Sequence, residues 1–439
     1  MTTGSRGASR PRIVAIADTD SYVKWAAALL GGAGERWDAS LLVLETPLVV
    51  SEPQRAAAVK GSGLAPERVE RVEYSRLSSQ LAALRPDAVL IAARGPLVRV
   101  LARDVADLKP RPVIVTGLPG ISIPATRKAL VYRTQCDLFI VHSRRELREF
   151  TALADRTGFH QRFALATLPF ARAAVGADAD ADADAGVEPD RAPATDLVFA
   201  TQARVPATRP DRLRIARLLV RTAEADPSRR VVVKLRAVHG EQQTHVEHDG
   251  YPELLSTLGP LPPNLVTSTV SMGEALATAE GLVTVSSTAA IEAVAGGIPV
   301  IALDMFGVSS KLINETLADA GLLGAEDDVV HRRFRHPDPA WRDDNYFHAA
   351  DADDWEECAL DLIARRHAGA LVSRPALDRR GGALRDAWER RIALGRSDTS
   401  TAGTVAYAIG LPLRTALRLW HRVRRSARAR LAAVPVGEG

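Results

Sequence analysis

The sequence predicts an α/β protein of two Rossmann-like, doubly wound domains facing each other across a cleft. Three observations carry that expectation. Short β-branched apolar runs alternate with helical patterns through both halves of the chain. The alternation stops at an acidic low-complexity stretch and restarts beyond it. The segment Gly281–Met305, GLVTVSSTAAIEAVAGGIPVIALDM, spells one complete strand–turn–helix–strand unit of a parallel sheet.

Length and composition agree with this reading. At 439 residues the chain exceeds one ordinary domain, and 46% hydrophobic with 25% charged residues is usual for a globular protein. A net charge of +4 implies no whole-surface attraction to nucleic acid. Arg outnumbers Lys 51 to 6, which reads as the coding bias of a GC-rich genome. Cys136 and Cys358 have no metal-type spacing and fit a reducing cytoplasm. The first residues, MTTGSRGASRPR, lack an apolar core and read as a disordered leader over 1–11, and no run approaches a membrane span.

In the first half, Arg12–Ala17 is a strand followed by Asp18-Thr19-Asp20-Ser21. Tyr22–Leu30 is a helix that stops at Gly31-Gly32. Leu41–Leu44, Ala88–Ala92, Val113–Thr116 and Leu138–His142 are further strands, with a helix over Ser78–Leu84. This first domain spans 12–172. Residues 173–195 form the linker, whose core GADADADADAGVEPD cannot bury enough surface to order itself. Strands at Asp196–Thr201, Arg230–Leu235 and Leu265–Ser268, with helices at Arg209–Ala225 and Met272–Ala279, lead into the Gly281–Met305 unit. The second domain is expected to end near residue 375, followed by a helical basic tail over 376–439.

In such sheets ligands sit beyond the carboxyl ends of the strands. Ser286, Ser287 and Thr288 fall where a helix begins, with free backbone N–H groups and the positive end of its dipole, a spot suited to phosphate. Glu292 lies one turn on, placed to accept hydrogen bonds from a sugar hydroxyl. Ordinary capping and a solvated glutamate explain the same residues. Lys234 and Arg236, at the end of a strand, fit diphosphate binding. In the first domain, Asp18 and Asp20 are candidate bases for an attacking hydroxyl, with helix capping the alternative for one of them. Gly117 and Gly120 permit close backbone approach to a ligand. His142 is a second candidate base or a structural residue. Arg127 and Lys128 are partners for an anionic acceptor or part of a solvated face, and Trp341–His348 reads as packing. No metal site and no cofactor are expected; Asp18-Thr19-Asp20 has the spelling of a metal motif but lies in the first domain.

The run Ser287-x-x-x-Ile291-Glu292-x-x-x-Gly296-Gly297-x-Pro299 resembles the donor-nucleotide motif of GT-B glycosyltransferases. It is similar to that of the peptidoglycan N-acetylglucosaminyltransferase and of capsule and teichoic-acid transferases. The segments IADTDSYVKWAAALL, RGPLVRVLA and TGLPGISIPATRKALVYRTQCDLFIVHS resemble a family of uncharacterised glycosyltransferases from high-GC Gram-positive bacteria, up to about Trp355. The resemblance implies that the helix start holds the donor's phosphates and Glu292 its ribose. It implies a nucleotide-sugar donor, a saccharide or lipid-linked acceptor, and metal-independent transfer, expected to be inverting. Related capsule-type enzymes carry Lys-x-His-Pro where this chain has Lys234-Leu235-Arg236-Ala237. Nucleotide-sugar epimerisation and non-catalytic nucleotide-sugar binding are the alternatives on the same fold. Leu411–Leu431 holds seven arginines and no acidic residue, interleaved with Leu413, Leu417, Leu419 and Trp420. Read as a helix, that pattern suits peripheral contact with the inner face of a membrane; a disordered basic tail, or a helix docked on the protein's own acidic surface, explains the same residues.

Overall fold

The computed structural model describes residues 10–48, 50–171, 194–235, 249–377, 381–412, 414 and 420. Within them the chain builds two parallel sheets. The first has the order β3-β2-β1-β4-β5-β6-β7, with β1 Arg12–Ala17, β2 Asp38–Leu44, β3 Val69–Val72, β4 Ala88–Ala92, β5 Val113–Gly117, β6 Leu138–Val141 and β7 Arg162–Leu165. The second has the order β10-β9-β8-β11-β12-β13, with β8 Asp196–Ala200, β9 Val231–Lys234, β10 Leu265–Ser268, β11 Ala279–Thr284, β12 Val300–Leu303 and β13 Leu323–Gly324.

Central strands are buried on both faces, which is why they read as continuous apolar runs. Ile13, Val14, Ala15, Ile16 and Ala17 of β1 are all fully buried, with Val14 paired to Ser40 on one side and Val89 on the other. Helices cover both faces of each sheet. Strand order reverses between β1 and β4 in the first sheet, and between β8 and β11 in the second. Those reversals are the points where open α/β sheets leave a crevice for ligands.

The chain passes from one domain to the other and back. Leu168 and Ala171 already pack into the second domain's core. Return runs through 345–355, and the Trp355–His367 helix lays Trp355, Cys358, Ala359, Leu362 and Ile363 into the core of the first sheet. Trp355 stacks on Trp37 with ring centroids 6.2 Å apart. The expected second-domain boundary at 375 is therefore corrected: from Trp355 onward the chain belongs to the first domain. The Gly382–Leu394 helix of the tail does too, burying Ala393 and Leu394 there and pairing Glu389 with Arg99 at 2.8 Å. Nearly all of the predicted linker, the leader up to Ser9 and most of the arginine-rich stretch Leu411–Leu431 lie outside the described residues.

The return segment is tied down by buried polar contacts. Tyr346, fully buried, donates its hydroxyl to Glu146 Oε1 at 2.7 Å. Asp353 accepts from the Thr167 N–H at 2.6 Å and Thr167 hydroxyl at 3.0 Å, with His348 Nε2 at 2.9 Å from the same oxygen. Trp341–His348 thus packs the crossover, as the sequence suggests. Arg145–Asp319 at 2.6 Å and Arg148–Asp344 at 2.7 Å add outer ties between the domains, each modest in energy because both are solvent-accessible.

Candidate functional site

Each switch point is occupied by a bonded pair of side chains. In the first domain Asp18 leaves β1 and Arg94 leaves β4. Arg94 Nε donates to Asp18 Oδ2 at 2.6 Å, and the Arg94 N–H reaches Oδ1 at 3.3 Å. The Asp18 side chain is fully buried and that of Arg94 is 33% exposed. Burial pushes the Asp18 carboxyl above its ordinary value, and the guanidinium opposes that rise. The reading of Asp18 as a base is corrected accordingly: it is enclosed and committed to Arg94. Asp20, half-buried, is the first residue of the Asp20–Gly32 helix and lies beside the same switch point.

The loop after β5 is shaped by what presses on it. A Cβ at Gly117 would sit 2.5 Å from the Trp25 ring, and one at Gly120 would sit 2.6 Å from Thr288 Cγ2. The close approach that the glycines permit is therefore to a tryptophan and to the opposite domain. Arg133, buried, donates to the Gly117 carbonyl at 3.3 Å and holds the loop from below.

His142 is fully buried, accepting from Trp25 Nε1 at 2.8 Å. Its Nδ1 lies 2.7 Å from the Ala166 carbonyl, which fixes the proton there. Burial lowers its pKa, keeping the ring neutral. His142 is a structural strut beneath the loop and does not face the cleft, so its candidacy as a base is withdrawn. Arg127 and Lys128 are exposed on the Arg127–Tyr132 helix, lying over Phe159 and Tyr132.

In the second domain the bend after β11 meets Gln202, which follows β8. The Ser286 N–H donates to Gln202 Oε1 at 2.9 Å, and Gln202 Nε2 donates to Ser286 Oγ at 3.1 Å. The Ser287 N–H donates to Thr284 Oγ1 and the Ala289 N–H to Ser287 Oγ, both at 3.2 Å. The expectation of a row of free amides is corrected: the bend is braced within its own domain. Ser287 and Thr288 remain half-exposed, and Thr288 meets the Gly120 loop. Lys234, at the end of β9, is buried with its ammonium on the Leu235 carbonyl. Arg236 lies outside the described residues.

Glu292 stands on the Ala289–Ala295 helix and crosses the cleft. Its Oε1 is 3.8 Å from Lys24 Nζ of the first domain, and Lys24 also lies 4.4 Å above the Phe170 ring. Burial raises the Glu292 pKa, against the pull of Lys24 and Lys234. Lys24 and Phe170 were not flagged by sequence, because a lone lysine in a helix carries no local signal. Among the described residues no group of three or more His, Cys, Asp or Glu side chains is placed to hold a metal, and no helix is long and apolar enough to cross a membrane.

Comparison with solved structures supports the architecture. The Staphylococcus aureus MnaA–UDP co-structure aligns with a TM-score of 0.50 at 12% identity, covering 84% of this chain and all of that one. A "putative UDP-N-acetylglucosamine 2-epimerase" from Listeria monocytogenes aligns at 0.51 and 10% identity with the same coverage. At these identities the likeness is one of fold, the two-domain GT-B arrangement. A search of curated proteins finds no match. The profile of the family described as "Putative glycosyltransferase (DUF6716)" matches residues 13–362, most of both domains. Two facing Rossmann-like domains and this match together place the chain in that glycosyltransferase family.

Proposed function

We propose that the protein transfers a sugar, or a related group, from a nucleotide-activated donor to a hydroxyl of a cell-envelope or polysaccharide acceptor, with inversion and without a metal. The observation that carries this reading is the position of Glu292. It lies one turn beyond the β8/β11 switch point, in a helix that presents its carboxylate to the first domain. There it can accept hydrogen bonds from ribose hydroxyls, while Ser286, Ser287, Thr288, Lys234 and Arg236 meet the diphosphate. Asp20 takes the proton of the acceptor hydroxyl as its oxygen attacks the anomeric carbon. The bond to the diphosphate breaks, and the leaving diphosphate keeps the electron pair. Hydroxyls and cations stabilise that developing charge.

The test is a thermal-shift and calorimetry panel of UDP, GDP, CDP, CMP and dTDP, followed by incubation of the bound nucleotide's sugars with candidate acceptors. Binding with turnover only in the presence of acceptor supports transfer. A second reading, nucleotide-sugar epimerisation, is favoured by the epimerase named among the structural neighbours; interconversion of the nucleotide sugar alone would select it. Binding without any turnover would mark a nucleotide-sugar sensor. Peripheral contact with an anionic membrane surface, at the inner face of the cell membrane, is part of the proposed setting.

A further inference from the structure

Beside Glu292 a cavity of about 390 Å³ opens between the Asp20–Gly32 and Glu52–Val59 helices, within the roughly 300–1,000 Å³ usual for small-molecule sites. The first domain and the crossover supply its walls, and Glu292 is the single residue that the second domain contributes. Lys24 and Lys60 line it, with Phe170 and the loop Gly61-Ser62-Gly63. Two lysines and one carboxylate thus line the cavity, Lys24 beside Glu292 and Lys60 within electrostatic reach of Glu274, which lies outside the lining. Lysine is scarce in this chain, six residues against 51 arginines, yet two of the six line this one cavity. A concave site with excess positive charge concentrates anions. The aromatic ring and the hydroxyl and peptide groups of the loop suit a polyhydroxylated ring.

The cavity follows the Asp20–Gly32 helix from Lys24 to Gly32, about 12 Å at 1.5 Å per residue. Its Lys24 end is one helical turn from Asp20. An elongated ligand lying here would bring one end to the switch point of the first domain and leave the other beside Lys60. Arg127 and Lys128, the cations that the sequence offers for an anionic acceptor, are not among the residues that line it.

We propose that this cavity binds the acceptor, and that the acceptor is an acidic saccharide, a sugar carrying a carboxylate or a phosphate that Lys60 and Lys24 recognise. This rests on the transferase reading and names the acceptor class within it. The experiment uses the full chain with glucuronic acid, glucose 1-phosphate and neutral glucose as probes, read by ligand-observed NMR titration. UDP serves as a separate arm for the donor side. Both acidic probes should bind about tenfold more tightly than glucose. Lys60→Glu should abolish that preference and Lys60→Arg should keep it, while neither changes UDP affinity. Lys60 is exposed, so neither substitution threatens the fold.

Equal binding of glucose and glucuronate, binding unaltered in Lys60→Glu, or no binding of any probe would each overturn the proposal. Preference for only one of the two acidic probes identifies the acidic group and supports it. If acidic probes bind as expected while UDP does not, the donor reading fails and the cavity assignment stands.

Discussion

At the residue scale, the cleft depends on contacts between side chains far apart in sequence. Glu292 stood out in the sequence because its helix resembles a donor-nucleotide motif; its partner Lys24 did not, because nothing local marks a lysine that crosses to another domain. On the proposed reading the Glu292 carboxylate accepts hydrogen bonds from the ligand, so Glu292→Ala should weaken nucleotide binding by about tenfold or more in calorimetry with thermal stability retained. The raised pKa gives a sign to the pH dependence. Ribose hydroxyls bond best to the ionised carboxylate, so affinity should rise as pH rises through that pKa, and Glu292→Gln should flatten the profile. An affinity that falls with rising pH would remove Glu292 from the site. Gly120 offers a second test. Its glycine identity signalled close approach, but the approaching atom is Thr288 Cγ2 of the other domain. Gly120→Ala should therefore hold the cleft open and reduce turnover, with an overpacking cost of roughly 1–3 kcal/mol. Thr288→Ser in the same chain removes the obstructing methyl and should restore activity; failure of that rescue would show that the clash is not across the cleft.

Among the elements, central strands were legible and edge strands, Leu265–Ser268 aside, were not. Arg12–Ala17 and Ala88–Ala92 are read from sequence with the bounds that the structure gives them, because β-branched runs buried on both faces have no helical periodicity. Val69–Val72, VERV, escaped: its two charged residues face solvent at the sheet edge, and only Val69 and Val72 are buried. Leu323–Gly324 is too short to carry any pattern. The apolar stripe of Trp355–His367 announces a buried face without saying which sheet it meets. Where the Tyr74–Leu84 and Gly95–Ala106 helices touch, Tyr74 donates its hydroxyl to Asp104 at 2.7 Å. Burial pushes the Asp104 carboxyl up to about 6 despite that bond and the nearby Arg390. Between the ordinary value of 3.8 and about 6 the folded chain holds a proton that the unfolded chain has lost, so stability falls as pH rises through this window. Asp104→Asn keeps an acceptor for Tyr74 and removes the buried charge. Urea denaturation at pH 7.5 should show it roughly 1–3 kcal/mol more stable than the native chain, the difference shrinking below pH 4. A destabilised variant at pH 7.5 would mean the charge itself is needed there.

For the whole molecule, the double crossing of the chain joins two sheets that the sequence presents only as consecutive halves, and it leaves the C-terminal helices on the first domain. The Gly382–Leu394 helix and the helix over 401–412 pack through Trp388 and Tyr407, stacked at 5.7 Å. Together they expose Leu384, Ile392, Val405, Ile409 and Leu411 at 41–54%, and Trp420 follows at 49%. Most large apolar side chains exposed among the described residues gather in this C-terminal part rather than scattering. The sequence from Leu411 to Leu431 adds seven arginines and no acid. In the proposed peripheral membrane contact, apolar side chains would enter the interface beside basic ones that meet anionic headgroups, each cation near the surface adding about 1 kcal/mol. The full chain should co-sediment with vesicles containing phosphatidylglycerol and not with pure phosphatidylcholine, and added salt should weaken that binding. Val405→Ser with Ile409→Ser should reduce the partition roughly tenfold while circular dichroism stays unchanged, since both side chains are already exposed. Binding that ignores lipid charge, or survives the double substitution, would leave this helical pair with another role.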